Sequence, residues 1–523
     1  MEKYLGIEFG STRIKAVLTD GEPGTPGGGF SVIASGAYDW QNSLVDGVWT
    51  YSQEEIIAGL QGSYAAMAQD YAQKYGEPLT DISAMGISAM MHGYLAFGAD
   101  GRLLTPFRTW RNTFTGKAAE ELTRLFGFNI PQRWSIAHLY HAIISGEPHV
   151  RDIARLDTLA VYIHYLLTGR HEAGSGEAAG MFPISAPDSW DIFMLGEFRE
   201  LVKPYNFPWD IAGILPQVKP AGSRGANLTA EGARLLDPTG TLRPGVPMCP
   251  PEGDAGTGMT ATNSVKCGTG NVSAGTSVFS MIVLDKPLEG VYPEIDVVAT
   301  PDGSPAAMVH CNNCCSELDA WVKLFGEFAG LSGIRLSKSD LYEKLYRHAM
   351  TGSPDCGGVV AYNFLSGEPV AGAESGRPMY FRSPDGEWSL ANFMRAELDS
   401  AFAALKHGMD ILTEREHVAV SRIMGHGGLF KVQGAAQQLL ADALDTEVSV
   451  LTTAGEGGAW GMALLAAFME QGDGQLLPDY LEERVFSRMQ AITESPTADG
   501  AEGFRRFMEN WRRGLPAEYA AAR

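Results

Sequence analysis

The chain has 523 residues, with 40 lysines and arginines against 62 aspartates and glutamates, a formal charge of −22. That balance excludes a nucleic-acid binder and an anionic membrane surface as partners, because no basic excess is present to neutralise phosphates. Glycine is high, 62 residues or about 12% against roughly 7% in an average protein; 45% hydrophobic and 20% charged residues give a globular composition long enough for two domains.

Tyr4 to Glu8 and Ile14 to Leu18 read as strands joined by Gly10-Ser11-Thr12, a β-hairpin, followed by a Gly/Pro-rich loop at Gly24 to Gly29. Ser52 and Glu55 have capping-box spacing ahead of a helix whose apolar face is Ile56, Leu60, Tyr64, Met67 and Tyr71. Ile82 to Ser88 is a buried strand, with Met90-Met91-His92-Gly93 beyond its end. Residues 170–250, rich in Gly, Pro and aromatics, read as insertions and loops. Val265 to Val283 is a second hairpin with Gly268, Gly270 and Gly275 at its bends. Ser316 to Phe328 and Ala391 to Leu412 are helical. The tail alternates: strand Val420 to Met424, helix Gly434 to Leu444, strand Glu447 to Leu451, loop Gly455 to Gly458 and helix Ala459 to Met469. That is a parallel-sheet pattern, and strands alternating with helices in both halves predict two α/β domains. The two hairpins echo each other: Glu8-Phe9-Gly10-Ser11-Thr12 against Ser273-Ala274-Gly275-Thr276-Ser277.

MEKYLGIEFGST lacks a signal-peptide core, and the longest apolar run, Ala459 to Met469, is a buried-helix pattern. A cytoplasmic protein with no membrane association is expected. Its six cysteines, three of them clustered as Cys311, Cys314 and Cys315, read as reduced thiols, because a zinc site needs a second ligand pair at matching spacing.

Gly256-x-Gly258-x-x-Ala261 resembles a dinucleotide fingerprint, but Pro250-Pro251-Glu252-Gly253 ahead of it is not a strand. Gly116-Lys117 lacks the upstream glycine of a Walker A loop. His138 and His141, i and i+3, read as an ordinary helix surface. More informative are four Gly-rich turns, two of them carrying hydroxyl residues: Gly10-Ser11-Thr12, Gly268 to Ser277, Gly425 to Leu429 and Gly455 to Gly458. Glycine allows close backbone approach, and successive N–H groups form anion nests.

In order along the chain, Leu5-Gly6-Ile7-Glu8-Phe9-Gly10-Ser11-Thr12-Arg13-Ile14-Lys15, Ile87 to Gly93, Gly253-Asp254-Ala255-Gly256, Ser273 to Ser277, and Gly427-Gly428-Leu429 through Asp442 resemble the motifs of FGGY-family carbohydrate kinases, in the actin, Hsp70 and hexokinase superfamily. The resemblance runs nearly end to end. It implies two ribonuclease H-like (actin-like ATPase) domains flanking a central cleft: 1–262, binding sugar, and 263–523, binding ATP. It implies ATP and Mg²⁺ as cofactors, a small sugar as substrate, no nucleic-acid partner, and it allows a homodimer.

On this resemblance Asp254 is the base; Met91, His92, Gly93, Trp110, Arg111 and Asn112 meet the sugar. Gly10, Ser11, Thr12, Lys15, Gly275, Thr276 and Ser277 cradle phosphates, Gly427, Gly428 and Leu429 approach adenosine, and Glu8 meets the metal. Taken alone, Asp254 reads as a cap for the following helix, and His92 beside two methionines as a packed core residue; Trp110 suits a sugar face or the core equally, and Glu252 is a lesser candidate base. The chain departs from the family at Glu8, where Asp is usual, and at Arg111-Asn112-Thr113-Phe114, where xylulokinases carry Asn-Asp-x-Arg. A ketopentose of xylulose or ribulose type is the expected acceptor; a deoxyhexulose, tetrulose, polyol or sugar acid, or a non-catalytic ATP- or sugar-binding regulator, are the alternatives.

Overall fold

The computed structural model describes residues 2–21, 30–451 and 457–522; the loop expected at Gly24 to Gly29 and the residues Gly455 and Glu456 of the last Gly-rich turn lie outside them. The chain forms two compact units. The first comprises Met1–Val265, Val297–Ala306 and Thr453–Met489, the second Lys266–Asp296, Ala307–Thr452 and Gln490–Arg523. No helix among the described residues is long and apolar enough to cross a membrane.

In the first unit, β1 (Lys3–Phe9), β2 (Arg13–Asp20) and β3 (Val32–Asp39) form an antiparallel meander. Helix α1 (Gln53–Tyr75) follows; Ser52 Oγ accepts the Glu55 N–H at 3.1 Å, and the predicted face Ile56, Leu60, Tyr64, Met67 and Tyr71 is buried. The chain returns as β4 (Ala84–Ala89), parallel to β1, and much later as β5 (Glu252–Gly253), parallel to β4. The sheet order is β5-β4-β1-β2-β3. Between β4 and β5 lies α2 (Ser135–Ile144), and α3 (Asp254–Ala261) starts directly after β5.

Residues 170–250 hold more regular structure than their composition predicts. Helices Ile192–Val202 and Ala230–Leu236 form there, with Asp191 accepting the N–H groups of Phe193 and Met194, and Thr229 that of Gly232. Caps therefore set these short helices where periodicity is too brief to show.

The second large sheet and its helices are built from β6 (Thr269–Ala274), β7 (Val278–Val283), β8 (Asp296–Ala299), β9 (Pro305–Cys311), α4 (Cys315–Leu331), α5 (Leu390–Asp410), β10 (Arg422–His426), α6 (Ala435–Leu444), β11 (Val448–Leu451) and β12 (Ala491–Glu494). The order is β8-β9-β7-β6-β10-β11-β12. Its inner five strands repeat the first unit's order, with β6 antiparallel to β7 and parallel to β10, as β1 is to β2 and β4. The echo between the two hairpins thus becomes a topological repeat. Gly270 is not at a bend; it sits within β6, where a Cβ would lie 2.2 Å from Met281 O.

The last helix of the predicted tail, α7 (Gly458–Gln471), belongs to the first unit. A Cβ on Gly6 of β1 would lie 2.0 Å from Ala459 O and 2.6 Å from Ala463 N, and one on Gly461 would lie 2.0 Å from Thr257 O of α3. The helix therefore packs backbone to backbone on β1 and α3, which only glycines and alanines permit. Gly6→Ala is expected to destabilise the first unit by about 1–3 kcal/mol through overpacking, read as a lowered calorimetric midpoint. Gly258→Ala, where a Cβ meets no atom within 4 Å, serves as the neutral control.

Candidate active site

β1, β4 and β5 end side by side, with Glu8 opposite Ser88 and Ser88 opposite Glu252, then Phe9, Ala89 and Gly253 in the next row. The carboxyl ends of adjacent parallel strands are where open α/β sheets place ligands. Asp254 is the next residue. Gly253 takes the N-cap position of α3 and Asp254 stands first inside the helix. Its carboxylate accepts the Met91 N–H at 3.3 Å, from the loop after β4. Burial pushes its pKa up to about 6, against the lowering effect of the Met91 and Ala255 N–H groups. A carboxylate with that value is ionised at neutral pH and still basic enough to take a proton from a hydroxyl.

Glu8 faces Lys15 across the β1–β2 pair. Its carboxylate accepts the Ala459 N–H, and a Cβ on Gly458 would lie 2.2 Å from Glu8 Oε1 and 2.7 Å from Thr257 Oγ1. Glycine at the start of α7 is therefore required for the carboxylate to fit. Thr257 Oγ1 also lies 3.0 Å from Ser88 Oγ. Burial, and then the charge of Asp254, push Glu8 up to about 7, opposed by Lys15. A carboxylate whose ionisation is opposed by a neighbouring carboxylate suits a divalent cation. Among the described residues no cluster of three or more His, Cys, Asp or Glu is arranged to hold a metal by itself, so a metal here would need ligands from its substrate.

Met91 is buried, and His92 and Gly93 follow with φ of 69° and 97°. The left-handed His92 is an uncommon backbone state, held by its surroundings. Its ring lies parallel to Trp134, with centroids 6.2 Å apart, and Nδ1 is 3.1 Å from Gly180 O. A carbonyl can only accept, so Nδ1 carries a proton and donates it to Gly180 O. Gly180 is itself constrained, since a Cβ there would lie 2.7 Å from His92 Nδ1.

Two acidic residues in this region escape or nearly escape a reading of the sequence. Glu252 is buried and accepts the N–H groups of Gly176 at 3.3 Å and Glu177 at 3.0 Å; burial holds it up at about 8. Glu177, in the region read as loops, is buried, and burial pushes it well above the usual carboxylate range, helped by Glu252 and Asp254. The available signal was the small-residue run Gly174-Ser175-Gly176 and Ala178-Ala179-Gly180, a sequence that lets backbone close tightly around an acid.

Trp110 packs partly buried against the core of the first unit. Arg111 lies over the Trp49 ring, 4.0 Å from its centroid, and donates to Asn42 Oδ1 at 3.1 Å. Asn112 accepts the Trp49 N–H at 2.9 Å and donates to Trp49 O at 2.8 Å and Thr109 O at 3.0 Å. Its amide is spent on backbone. His138 is not on a helix surface: α2 is buried nearly all round, and burial first, then Arg108 and His141, lower His138 to about 3.

The Gly10-Ser11-Thr12 turn closes with Gly10 N–H on Arg13 O at 3.1 Å. Trp40 Nε1 donates to Gly10 O at 2.7 Å and Tyr51 OH to Ser11 O at 2.6 Å, the two rings stacked at 4.0 Å. An aromatic pair thus pins the turn from one side, with Thr12 exposed on the other and Lys15 half-buried. In the second unit, the Gly275-Thr276-Ser277 turn has Gly275 N–H on Ser277 O at 2.9 Å. Beside it, Gly427 has φ of 105°, and a Cβ would lie 2.4 Å from Ala274 O; Gly428 has no atom within 4 Å of that position, and Leu429 is buried. The parallel pair Ser273–His426 brings these two Gly-rich segments to the same end of the sheet.

Residues 270–470 match the C-terminal domain of the FGGY family of carbohydrate kinases. That match lies within the second half of the chain. The chain is 22% identical over 490 residues to xylulose kinase of Haemophilus influenzae, covering 90% of this chain and 92% of that one. It is 25% identical over 234 residues to glycerol kinase of Thermococcus gammatolerans, a match spanning 42% of this chain and 43% of that kinase. Its fold is shared with ligand-bound xylulose kinase of Lactobacillus acidophilus, at a TM-score of 0.78, 16% identity and full coverage of both chains. Gluconate kinase of the same organism matches at 0.77 and 16%, over 100% of this chain and 99% of that one. The chain thus has a two-domain α/β architecture of the actin-like ATPase fold.

Asn112→Ala is expected to destabilise the first unit by about 1–3 kcal/mol, because the N–H and C=O of Trp49 both lose a buried partner. A lowered denaturation midpoint checks it.

Proposed function

We propose that the protein phosphorylates the primary hydroxyl of a small sugar, a ketopentose of xylulose or ribulose type, using ATP, with Asp254 as the base. The observation that carries this reading is the placement of Asp254 just past β5, beside the end of β4, held by the Met91 N–H and raised to about 6. As the hydroxyl oxygen bonds to the γ-phosphorus and ADP leaves, the hydroxyl proton passes to Asp254 and then to water. The transition state is loose, so orienting the hydroxyl matters as much as removing its proton. His92 and Gly93 present the sugar side. Gly275, Thr276 and Ser277, with Gly10, Ser11, Thr12 and Lys15, offer phosphate donors, and Gly427, Gly428 and Leu429 an adenosine surface. The division into a sugar-binding part, 1–262, and an ATP-binding part, 263–523, follows this assignment. Mg²⁺ accompanying ATP would meet Glu8 and supply charge neutralisation at the phosphates.

A second acceptor class, a polyol or a sugar acid, is favoured by one observation. The Asn112 amide is spent on Trp49 and Thr109, and Arg111 is stacked on Trp49. The positions after Trp110 therefore do not repeat the polar pattern that xylulokinases use.

Asp254→Asn is expected to cut sugar-dependent ADP release by about 10²- to 10⁴-fold while thermal shifts by sugar and by MgATP persist, over a panel of ketoses, polyols and sugar acids. Full turnover by that variant would sink the assigned base; nucleotide binding with no sugar-dependent release by the unmodified protein would make it a regulator. With its pKa raised, Asp254 stays protonated below about pH 6 and cannot accept, so kcat/KM falls as pH drops through that value. Nucleotide affinity is expected to collapse on chelation of Mg²⁺ and to survive Lys15→Ala and Lys431→Ala, measured by calorimetric titration.

A further inference from the structure

The stretch His310 to Cys315 plays no part in the kinase reading, yet it is built with care. Cys311 closes β9, Cys314 is the N-cap of α4 and Cys315 its first residue. Asn313 fixes the backbone between them: its N–H and Nδ2 donate to Glu368 Oε2 at 3.1 and 3.0 Å, and its Oδ1 accepts the Leu365 N–H at 2.9 Å. Asn363 Nδ2 donates to Cys314 O at 3.0 Å. The result is a contact of 3.5 Å between the sulfurs of two consecutive residues, Cys314 buried and Cys315 half-buried.

We infer that Cys314 and Cys315 are an oxidation site at which a hydroperoxide closes a vicinal disulfide. The Cys315 sulfur, half-buried and the more accessible of the two, attacks the outer peroxide oxygen as a thiolate. This gives a sulfenic acid and releases water from hydrogen peroxide, or an alcohol from an organic hydroperoxide. The Cys314 sulfur then attacks the Cys315 sulfur and a second molecule leaves as water. Two thiols lose two protons and two electrons, and the peroxide bond is reduced. The sulfurs close from contact to a bond of roughly 2.05 Å. The contact with the Cys315 sulfur, and then burial, push the Cys314 thiol well above its usual range, which suits the resolving partner and not the first nucleophile.

The pair is wired to a turn. The Cys314 N–H donates to Thr276 O at 3.0 Å and the Cys315 N–H to Gly275 O at 3.1 Å. Closing an eight-membered ring twists the peptide between the two residues and withdraws donors from the Gly275-Thr276 turn. Where that turn cradles phosphate, which rests on the proposed function, oxidation weakens MgATP binding, by about fivefold for one hydrogen bond.

The test uses full-length reduced protein and stoichiometric hydrogen peroxide. The expected product is about 2 Da lighter, a mass set by the loss of two hydrogens when a disulfide forms; the loss is confined to the peptide containing both residues and is reversed by phosphine reductant. It persists in Cys311→Ser and is abolished in Cys314→Ser and in Cys315→Ser. No mass loss, or loss that survives Cys315→Ser and so marks a Cys311–Cys314 bridge, overturns the site. MgATP affinity is read by calorimetry on the same samples. A disulfide with unchanged affinity overturns the coupling and leaves the site standing, and absence of sugar-dependent ADP release in the reduced protein bears on the kinase reading alone.

Discussion

Parallel pairing of β1, β4 and β5 in one register is what the chemistry of the first unit rests on. It sets Glu8, Ser88 and Glu252 in a row and leaves Asp254 as the first residue to emerge beyond the sheet. A slip of one residue in any of these strands would turn its carboxylate to the opposite face. The register is secured by burial: Leu5, Ile7 and Phe9 of β1 and Ile87 of β4 are fully enclosed, and α7 lies so close on Gly6 that no side chain fits between.

The row is expensive in electrostatic terms. Glu8, Glu177, Glu252 and Asp254 are all pushed upward by burial, and the charge of Asp254 raises Glu8 further, as those of Glu252 and Asp254 raise Glu177. What offsets it is mostly backbone. N–H groups of Met91, Gly176, Glu177 and Ala459 point at these carboxylates, and Lys15 is the side-chain cation named beside Glu8. The high glycine content follows in part, because Gly174, Gly253 and Gly458 stand where a Cβ would strike a carboxylate oxygen. Carboxylates held this way have raised pKa values, which is how one becomes a usable base near neutral pH.

The two units repeat one topology with different loading. Gly10-Ser11-Thr12 and Gly275-Thr276-Ser277 are the same turn between the first two strands of each sheet. One is pinned by the stacked rings of Trp40 and Tyr51, the other by the N–H groups of two adjacent cysteines. The aromatic support carries no thiol, whereas the second turn is held through the backbone of two residues that each carry one.

Much of this was legible in the residues. The hairpins, the Ser52-capped α1 with its five-residue apolar face, and the alternation of the tail follow from period, capping and glycine placement, which are local. The Gly253-Asp254 segment and the Met91-His92-Gly93 motif were likewise visible through family resemblance. Less visible were the capped helices within 170–250, the burial of His138, the backbone use of Asn112, and the roles of Glu177 and Glu252, because each depends on a partner far along the chain. Strand register, the return of α7 to the first unit and the meeting of the Cys314 and Cys315 sulfurs are non-local in the same sense. The sequence by itself determined the elements, the repeated turns and the Gly253-Asp254 segment that supplies the proposed base. Only the tertiary structure decided which acids share a buried site and which polar groups are already spent, since burial and hydrogen-bond partners arise from packing between distant segments.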